Sequence, residues 1–342
     1  MPRLIRWAHP LGFAASLKEN GVPVEKYFRK QGLPTLCEDP DVFLPLLKVW
    51  SFWDEVAHQD DPLLGWRVGR NFGGQLLSGS FLQQLEQATT LYQALQTCIR
   101  LVKTEATHLQ LGILERPDDI LFYTHYPDLK GAPGYHISQA YQMEVYLTIL
   151  RLFLGRDWLP EEIGHETPEV PATLHDHLPV PRIRTDRRMG YIKVPRSCLH
   201  VTARQNTAAM NTGTQTTHPP TYSDRFDYVD TLSSLIKAYM SDGYPSRKRM
   251  ASLMDTSVRS MVRQLAARNL TYRSLVDTVR FNKARELLND NDASIADISG
   301  ATGFEDPAHF SRMFRRVGGI SPREYRKFNR SKLQLCSELQ QY

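Results

Sequence analysis

The last third of the chain contains a segment in which local residue types determine both the ends and the faces of a helix. Gly303 can adopt the left-handed conformation that ends a helix, Asp306 can cap the next helix, and Pro307 suits its first turn. Apolar residues then recur at steps of three and four and so share one face: Phe310, Met313, Phe314 and Val317. Basic residues lie largely off that face: His309, Arg312, Arg315 and Arg316. This downstream motif predicts a tight turn and a helix with one buried and one basic side.

A second motif of the same kind lies about fifty residues upstream. Residues 250–254 predict a short helix, Asp255 and Thr256 a turn, and Ser257 a cap for a helix that runs from Val258 to Arg268. The predicted buried stripe of this helix is Val258, Met261, Val262, Leu265 and Ala266. Arg259 and Arg263 are four residues apart and project together from the opposite side. The chain therefore contains two predicted helix-turn-helix motifs.

A long amphipathic helix is predicted between the two motifs, from Tyr272 to Leu288. Its apolar side is formed by Leu275, Val276, Val279, Ala284, Leu287 and Leu288. Roughly eighteen residues at about 1.5 Å each give a rod of roughly 27 Å. With the width of the flanking motifs added, their second helices can stand about 34 Å apart, which is one turn of B-DNA. One chain of this kind can reach two successive major grooves.

The charge distribution also favours contact with DNA. From Asp224 onward the chain has 20 Lys and Arg against 14 Asp and Glu, a net charge of +6, and the rest of the chain has a net charge of −1. Within residues 247–285 ten basic residues stand against only Asp255 and Asp277. A surface that follows DNA phosphates needs such a local excess. Taken alone, the excess is equally consistent with a solvated basic face on an ordinary helical domain.

Residues 224–330 resemble the DNA-binding region of the AraC/XylS transcription regulators. The resemblance rests on the connecting helix and on a signature that reads Gly303-Phe304, Phe310-Ser311-Arg312, Phe314-Arg315-Arg316, Ser321-Pro322 and Tyr325-Arg326. It implies an all-α C-terminal domain with two helix-turn-helix units joined by a long helix. The chain departs from the family pattern at residues 317–319, where the family often has an aromatic residue and a single glycine. Gly300 is a second departure, because glycine inside a helix costs about 1 kcal/mol relative to alanine.

The resemblance also implies which side chains contact DNA. Arg259, Ser260 and Arg263 fall on base-facing positions of the upstream motif, and either arginine can pair with O6 and N7 of guanine. Pro307 and Ala308 fall on the equivalent face downstream, and because their side chains cannot hydrogen-bond we expect the upstream motif to supply most of the base discrimination. The complete set of expected contacts is Ser257, Arg259, Ser260, Arg263, Pro307, Ala308, His309, Ser311, Arg312, Arg316 and Ser321. For Arg263 and Arg312, pairing with a phosphate stays open as the alternative.

The domain boundary is predicted from composition. Residues 205–224 are poor in large aliphatic side chains and rich in Thr, Asn and Pro, which is typical of a flexible tether. We therefore predict a sensing and dimerisation domain at residues 1–204, a linker at 205–223, the DNA-binding domain at 224–330 and a tail at 331–342. A chain of 342 residues with 41% hydrophobic content is long enough for two such domains.

Residues 1–204 predict an α+β domain. Helices are expected at 45–57, 63–72, 91–106 and 135–154, paired strands at 108–114 and 120–125, and further short strands near 163, at 179–183 and at 190–194. The domain resembles the arabinose-binding-type, effector-sensing domain of one AraC-type subgroup. The cues are Asp61-Pro62-Leu63-Leu64-Gly65, Thr90-Leu91-Tyr92-Gln93-Ala94-Leu95 and Leu154-Gly155-Arg156-Asp157-Trp158.

A small-molecule effector is implied for this domain. The helix at 135–154 has ring-bearing side chains among apolar residues, and a cavity lined by rings with a few polar tips suits a small amphipathic ligand. The candidate effector contacts are Tyr135, His136, Tyr141 and Tyr146. The alternative is that these side chains belong to the core, which is the commoner role of an aromatic stripe at helical spacing.

Other functional classes find little support in the sequence. Cys37, Cys98, Cys198 and Cys336 are scattered and contain no Cys-x-x-Cys pair, which is typical of buried thiols in a reducing cytosol. No segment has the length of a membrane span, so we expect a cytoplasmic protein without a membrane partner. His165-Glu166 and His175-Asp176-His177 lack the regular spacing of metal ligands, and no phosphate-binding loop or nucleophile motif is present. We therefore expect no metal, no cofactor and no enzymatic activity.

These observations lead to one main hypothesis and one alternative. The main hypothesis is a sequence-specific transcription regulator, an activator, that binds promoter DNA as a homodimer, responds to a small-molecule effector and contacts RNA polymerase. The alternative is a constitutive or architectural DNA-binding protein whose N-terminal domain serves only dimerisation.

Overall fold

The computed structural model describes residues 2–37, 39–57, 61–202, 227–290 and 293–328. The chain divides into two compact units. The N-terminal unit comprises Met1–Leu33 and Asp39–Asp224, and the C-terminal unit comprises Pro34–Glu38 and Arg225–Tyr342. The predicted linker at 205–223 and the predicted tail at 331–342 lie outside the described residues.

The N-terminal unit has an α+β fold. Its helices are α1 (Ala8–Glu19), α2 (Val24–Gln31), α3 (Leu46–Ala57), α4 (Leu64–Phe72), α5 (Gly79–Glu86), α6 (Leu91–Leu101), α7 (Tyr135–Leu154) and α8 (Leu174–His177). The strands β1 (Leu4–Arg6) and β2 (Phe43–Pro45) form a small antiparallel ribbon. The remaining strands are β3 (Gln110–Glu115), β4 (Asp119–His125), β5 (Glu162–Gly164), β6 (Arg182–Arg184) and β7 (Gly190–Pro195). They form one sheet in the order β3-β4-β7-β5-β6, in which β5 and β6 are parallel and the other pairs are antiparallel.

Helix α7 is the central element of this unit. It packs against α4, α3 and β7, and fifteen of its twenty residues are buried. The contact with α4 is so close that it admits only glycine at two positions. A Cβ atom at Gly65 would lie 2.4 Å from the carbonyl oxygen of Ile137, and one at Gly69 would lie 2.6 Å from that of Tyr141. The two backbones therefore touch directly, which fixes α7 in place.

A buried charged cluster joins β1, α1 and the end of α6. The Nε atom of Arg6 donates to Oε2 of Glu105 at 2.8 Å, and Nε2 of His9 lies 3.0 Å from the same oxygen. The N–H of Ser78 donates to Oε1 of Glu105 at 3.0 Å. Burial raises the pKa of Glu105, but the charge of Arg6 and the hydrogen bonds outweigh burial and hold that pKa at about 2. Burial lowers the pKa of His9. Glu105 is therefore an ionised group inside the core, and its ionisation depends on Arg6 and on its hydrogen bonds.

The predicted elements of this unit are found with small shifts in their ends. The helix Tyr135–Leu154 is confirmed, and the paired strands appear as β3 and β4. Strand β6 begins at Arg182 rather than at 179, because Pro179 and Pro181 have no N–H to donate to a neighbouring strand. Helix α1 was not predicted. Its sequence includes His9, Pro10 and Gly12, and all three are buried, so it lacks the polar face that reveals a helix.

The C-terminal unit is helical. Its helices are α9 (Tyr228–Tyr239), α10 (Arg247–Leu253), α11 (Val258–Ala266), α12 (Tyr272–Asp290), α13 (Ile295–Ala301) and α14 (Pro307–Gly318), and a further helix covers 322–328. The predicted order of two helix pairs around one long helix is observed: α10 and α11 precede α12, and α13 and α14 follow it. Helix α11 ends at Ala266, two residues before the predicted end, because Asn269 adopts a left-handed φ of 58° and the N–H of Leu270 returns to the carbonyl of Leu265.

No helix within the described ranges is both long and apolar enough to cross a membrane.

Candidate nucleic-acid interface

Helix α11 presents a polar face because its start is fixed by a cap. Asp255 turns the chain with a φ of 50°, and the Ser257 hydroxyl accepts from the N–H of Ser260 at 3.1 Å. Met261 and Leu265 are fully buried and hold the helix against its neighbours. Arg259 and Arg263 are exposed on the other side. The predicted cap and the predicted exposed arginines of the upstream motif are therefore present.

The predicted buried stripe of α11 is wrong for three of its five residues. Val258 is 37% exposed, Val262 is 41% exposed, and Ala266 is also exposed. Only the Met261–Leu265 pair, one helical turn apart, reaches the core, because this short helix packs along a single narrow line. Val262 and Ala266 instead line a groove described below. The helix therefore offers an accessible surface that is partly apolar.

Helix α14 is built as the sequence predicts at its start. Gly303 has a φ of 74°, the Asp306 carboxylate accepts from the N–H of Ala308 at 2.8 Å, and Pro307 occupies the first turn. Phe310, Met313 and Phe314 are buried. Val317 was predicted to share that face but is 38% exposed, because it stands in the last turn before the helix stops at Gly318.

The exposed side of α14 includes most of the residues predicted to contact DNA. Exposed side chains are Pro307, Ala308, His309, Arg312 and Arg316. Ser311 is half-buried, and its hydroxyl donates to the carbonyl of Pro307 at 2.9 Å. Ser321 caps the helix at 322–328: its hydroxyl accepts from the N–H of Glu324 at 3.3 Å, and the Glu324 carboxylate accepts from the N–H of Ser321 at 2.7 Å.

A groove of about 830 Å³ brings α11, α12 and α14 together. Val262 and Ala266 line it from α11, and Arg312 and Arg316 from α14. Helices α10 and α12 add further basic side chains: Arg247, Arg273 and Arg280. The groove thus combines residues of both predicted motifs on one basic concave surface.

The basic residues of this groove differ in whether an acidic side chain neutralises their charge. Arg316 pairs with Asp277 at 2.6 Å, so it is already neutralised by a residue of α12. Arg247, Arg273 and Arg312 are exposed and form no ion pair with any residue that the structure describes. These three arginines present their charge to solvent, and they are the side chains best placed to meet an anion.

Arg280 differs from these arginines because it is buried and holds neighbouring segments together. It is only 5% exposed, and one of its terminal nitrogens donates to the carbonyl of Gly303 at 2.8 Å. Its guanidinium lies 4.2 Å from the ring centre of Phe304 and 5.1 Å from that of Tyr244. Burial lowers the pKa of Arg280. Arg280 therefore joins α12 to the turn before α14 and to the segment before α10; we name this set of contacts the Arg280 brace.

Sequence reasoning missed several residues of this surface. Arg247, Arg273, Val262 and Ala266 line the groove, but only the excess of basic residues at 247–285 pointed toward the first two. The ion pair of Arg316 with Asp277 and the contact of Arg280 with Gly303 join residues 39 and 23 positions apart. Local spacing gives no signal for such pairs.

The candidate effector residues of the N-terminal unit have different immediate partners. Tyr141 is buried, and its hydroxyl lies 2.7 Å from Nδ1 of His9. Tyr146 is buried against the ring of Phe122, at 5.3 Å between ring centres. Tyr135 is buried beside Trp50, and His136 is exposed. Tyr135, Tyr141 and Tyr146 are thus all buried against other core side chains.

The histidines considered as metal ligands also lie in different surroundings. His165 is buried, and its Nδ1 lies 2.6 Å from the Thr167 hydroxyl; burial lowers the pKa of His165 to about 4. His177 lies 3.2 Å from Glu144. Across the described ranges, no three His, Cys, Asp or Glu side chains are grouped so that they can hold a metal ion.

Comparison with known proteins matches a region that contains most of the residues lining the groove. A family model described as a helix-turn-helix domain matches residues 250–327. The chain is 35% identical over 109 residues to the transcriptional activator RhaS of an Enterobacter species, which is 31% of this chain and 39% of that protein. It is 32% identical over 103 residues to the transcriptional activator NphR of a Rhodococcus species, which is 30% of this chain and 31% of that protein. The chain thus spans less than two fifths of the length of these curated relatives.

Solved structures of transcriptional regulators also align with much of the chain. The transcriptional regulator CdpR from Pseudomonas aeruginosa covers 89% of this chain, and 96% of its own length is covered, at 20% identity and a TM-score of 0.39.

Proposed function

We propose that residues 250–327, which match a helix-turn-helix domain model and resemble two transcriptional activators, form an AraC-type DNA-binding domain, and that the chain is a sequence-specific transcription regulator controlled by a small-molecule effector. The observation that carries the proposal is the basic groove between α11, α12 and α14. In it, two exposed helix faces flank three arginines that have no ion-pair partner among the described residues.

Base recognition is assigned mainly to α11. Arg259 and Arg263 project from its exposed face, and an arginine can pair with O6 and N7 of guanine in the major groove. The exposed Val262 supplies an apolar surface next to them, which suits the methyl group of thymine. On α14, Pro307 and Ala308 offer no side-chain hydrogen bond, so this helix contributes less to discrimination between bases.

Contacts to phosphate are assigned to the groove. Arg247, Arg273 and Arg312 present unpaired charge there, and arginine suits phosphate because its planar fork can donate two hydrogen bonds. The capped starts of α11 and of the helix at 322–328 offer free backbone N–H groups, which also favour phosphates. When α11 and α14 enter successive major grooves, the DNA backbone that separates the two grooves crosses this surface.

The remaining parts of the proposal concern the whole protein. We infer that the N-terminal unit binds the effector and forms a homodimer, that the regulator activates transcription through RNA polymerase, and that it acts in the cytoplasm. The similarity to two activators supports this inference for the C-terminal unit, and the large α+β fold of the N-terminal unit supports a sensing role.

The proposal is tested by selecting DNA with the full chain. Sheared genomic DNA from the source organism is incubated with the purified protein at physiological salt, and the bound fragments are sequenced. We expect discrete sites made of two short elements about one helical turn apart. Recovery of fragments without a shared sequence would support the alternative, an architectural DNA-binding protein, and would contradict the proposal.

Arg263→Ala is expected to weaken binding to a selected site by about 1–3 kcal/mol and to relax the preference at one base pair. The reason is the loss of two hydrogen bonds to one guanine. The measurement is a titration of the variant against the selected site and against its single-base variants, at fixed salt.

Arg273→Ala serves as the matched comparison, because this arginine lies in the groove rather than on the base-facing side of α11. We expect it to weaken binding to all sequences alike and to lower the slope of log affinity against log salt by about 1. If Arg263→Ala gave the same uniform loss, Arg263 would be a phosphate contact and the assigned base recognition would be wrong.

A further inference from the structure

Among the described residues of the N-terminal unit, four glutamate side chains are buried, and one of them differs from the rest. Three are neutralised by arginine: Glu105 by Arg6 at 2.8 Å, Glu144 by Arg70 at 2.9 Å, and Glu162 by Arg182 and Arg184, both at 3.4 Å. Glu166 is 0% exposed, and no Lys or Arg of the described chain lies within ion-pair distance of it. Among the described residues, three buried carboxylates therefore face an arginine, whereas Glu166 faces only a histidine, His125.

The partners that Glu166 does have are weak. Nδ1 of His125 lies 3.3 Å from both carboxylate oxygens, and the N–H of Gly190 donates to Oε1 at 3.3 Å. Both distances are longer than the 2.7–2.9 Å of a strong charge-assisted hydrogen bond. A carboxylate removed from water without a cation is costly, so this side chain calls for a positively charged partner.

A polar atom beside Glu166 also lacks a partner. Nε2 of Gln139 is buried and forms no hydrogen bond with any residue that the structure describes. The Oε1 atom of Gln139 accepts from the N–H of Glu166 at 3.0 Å, so the unused Nε2 belongs to an amide already fixed next to Glu166. Burial and the neighbouring Glu166 carboxylate raise the pKa of Tyr135 well above its usual value. Buried polar groups in folded proteins are nearly always satisfied, so an unsatisfied amide next to a buried carboxylate without a Lys or Arg partner points to a bound ligand.

Aromatic side chains and a glycine complete the surroundings. The ring of Trp50 meets that of Tyr135 edge-on at 5.6 Å between ring centres, and aromatic rings attract cations. A Cβ atom at position 190 would lie 3.3 Å from Nε2 of Gln139, so Gly190 keeps the space beside this amide open. The His125 side chain is 31% exposed and connects Glu166 to the surface.

We propose that Glu166 anchors the effector and that the effector carries an ammonium group next to an oxygen acceptor. The ammonium group pairs with Glu166, and the oxygen accepts from Nε2 of Gln139. A neutral polyol can hydrogen-bond to a carboxylate but leaves its charge uncompensated. A metal ion needs three or more ligands, which the described residues do not provide here. This inference rests on the proposed effector control and names the chemical class of the effector.

The test compares matched pairs of small molecules on the full chain. Serinol and glucosamine carry the ammonium group, and glycerol and glucose are their neutral counterparts. Thermal unfolding is followed by tryptophan fluorescence, because all five tryptophans precede residue 205. We expect the midpoint to rise with the amines and not with the neutral molecules. No difference between the members of both pairs at millimolar concentration would overturn the proposal.

Glu166→Gln is the decisive variant because it keeps the shape and removes the charge. We expect it to weaken binding of the stabilising amine about ten- to a hundredfold, which matches the loss of one charge-assisted hydrogen bond. Glu169→Gln is the control, since Glu169 is exposed three residues further on, and it should leave the affinity unchanged. Gln139→Leu provides a second variant and should also weaken the amine. An unchanged affinity in Glu166→Gln, or in Gln139→Leu where Glu166→Gln fails to fold, would contradict the assignment.

The DNA selection described above is independent of these measurements. Specific DNA sites without any preference for amines would overturn the Glu166 anchor and leave the DNA-binding function intact. Amine binding together with indiscriminate DNA recovery would contradict the proposed regulator and leave the Glu166 anchor standing.

Discussion

Phe310→Ala is expected to lower the free energy of unfolding of the C-terminal unit by about 3–5 kcal/mol. Phe310 is fully buried, and its ring centre lies 5.9 Å from those of both Phe304 and Phe314. Its cluster holds α12, α13 and α14 together. Removal of the ring leaves a cavity that this close packing cannot fill. The measurement is urea unfolding followed by far-ultraviolet circular dichroism, which detects the helices of this unit.

The position of the tryptophans makes the result specific to one unit. Because no tryptophan lies beyond residue 158, the transition seen by fluorescence reports the N-terminal unit alone and should not move. Phe328→Ala is the matched control, since Phe328 is 66% exposed, and it should change the stability by no more than about 0.5 kcal/mol. A small effect of Phe310→Ala would show that the apolar face of α14 is wrongly assigned.

Glu105→Gln is expected to lower the free energy of unfolding of the N-terminal unit by about 3–5 kcal/mol at pH 7. The substitution keeps the size of the side chain and removes the charge that compensates the buried Arg6, which is only 4% exposed. Arg6 keeps Asp41 at 2.8 Å, but Asp41 is partly open to solvent. The measurement is urea unfolding followed by tryptophan fluorescence.

The same variant should also change how the stability of the N-terminal unit depends on pH below about 4.5. The pKa of Glu105 is about 2 in the folded protein and 4.5 as the ordinary value, so the unfolded chain binds the proton more readily between these limits. The stabilisation is therefore complete above about pH 4.5 and is lost as the pH falls through about 2. The difference in free energy of unfolding between the parent protein and Glu105→Gln should therefore shrink as the pH falls from about 4.5 to about 2. A constant difference would contradict the assigned role of the Glu105 charge.

Glu115→Gln is the control for this series. Glu115 pairs with Arg196 at 2.8 Å, but both side chains are largely exposed, and such surface pairs contribute at most about 1 kcal/mol. A large effect of this control would mean that the fluorescence transition responds to charge in general rather than to burial.

Much of the C-terminal unit was predictable because its signals are local. Ser257 and Asp306 cap helices within three residues of themselves, and Gly303 turns the chain through its own φ angle. Such features depend on neighbours in sequence and need no knowledge of the fold. The sequence therefore placed the starts of α11 and α14 correctly.

The errors arose where the partner of a residue lies far away along the chain. The exposure of Val262 depends on how α11 meets α12 and α14, and apolar spacing alone placed this residue in the core. The ion pair of Arg316 with Asp277 was likewise not visible from the sequence, because the two residues are 39 positions apart. The same reason hid Glu166 in the N-terminal unit, since its isolation is visible only when the partners of the other buried glutamates are known.

The Arg280 brace has a consequence for the genetics of the target sites. Because Arg280 bonds to Gly303 and its guanidinium lies against the rings of Phe304 and Tyr244, the segment before α10, helix α12 and the turn before α14 are held together. For a chain that reads DNA as proposed, each base pair inserted between the two halves of a site rotates one half by about a tenth of a helical turn. Promoters under its control should therefore tolerate many point substitutions in the spacer but few insertions or deletions.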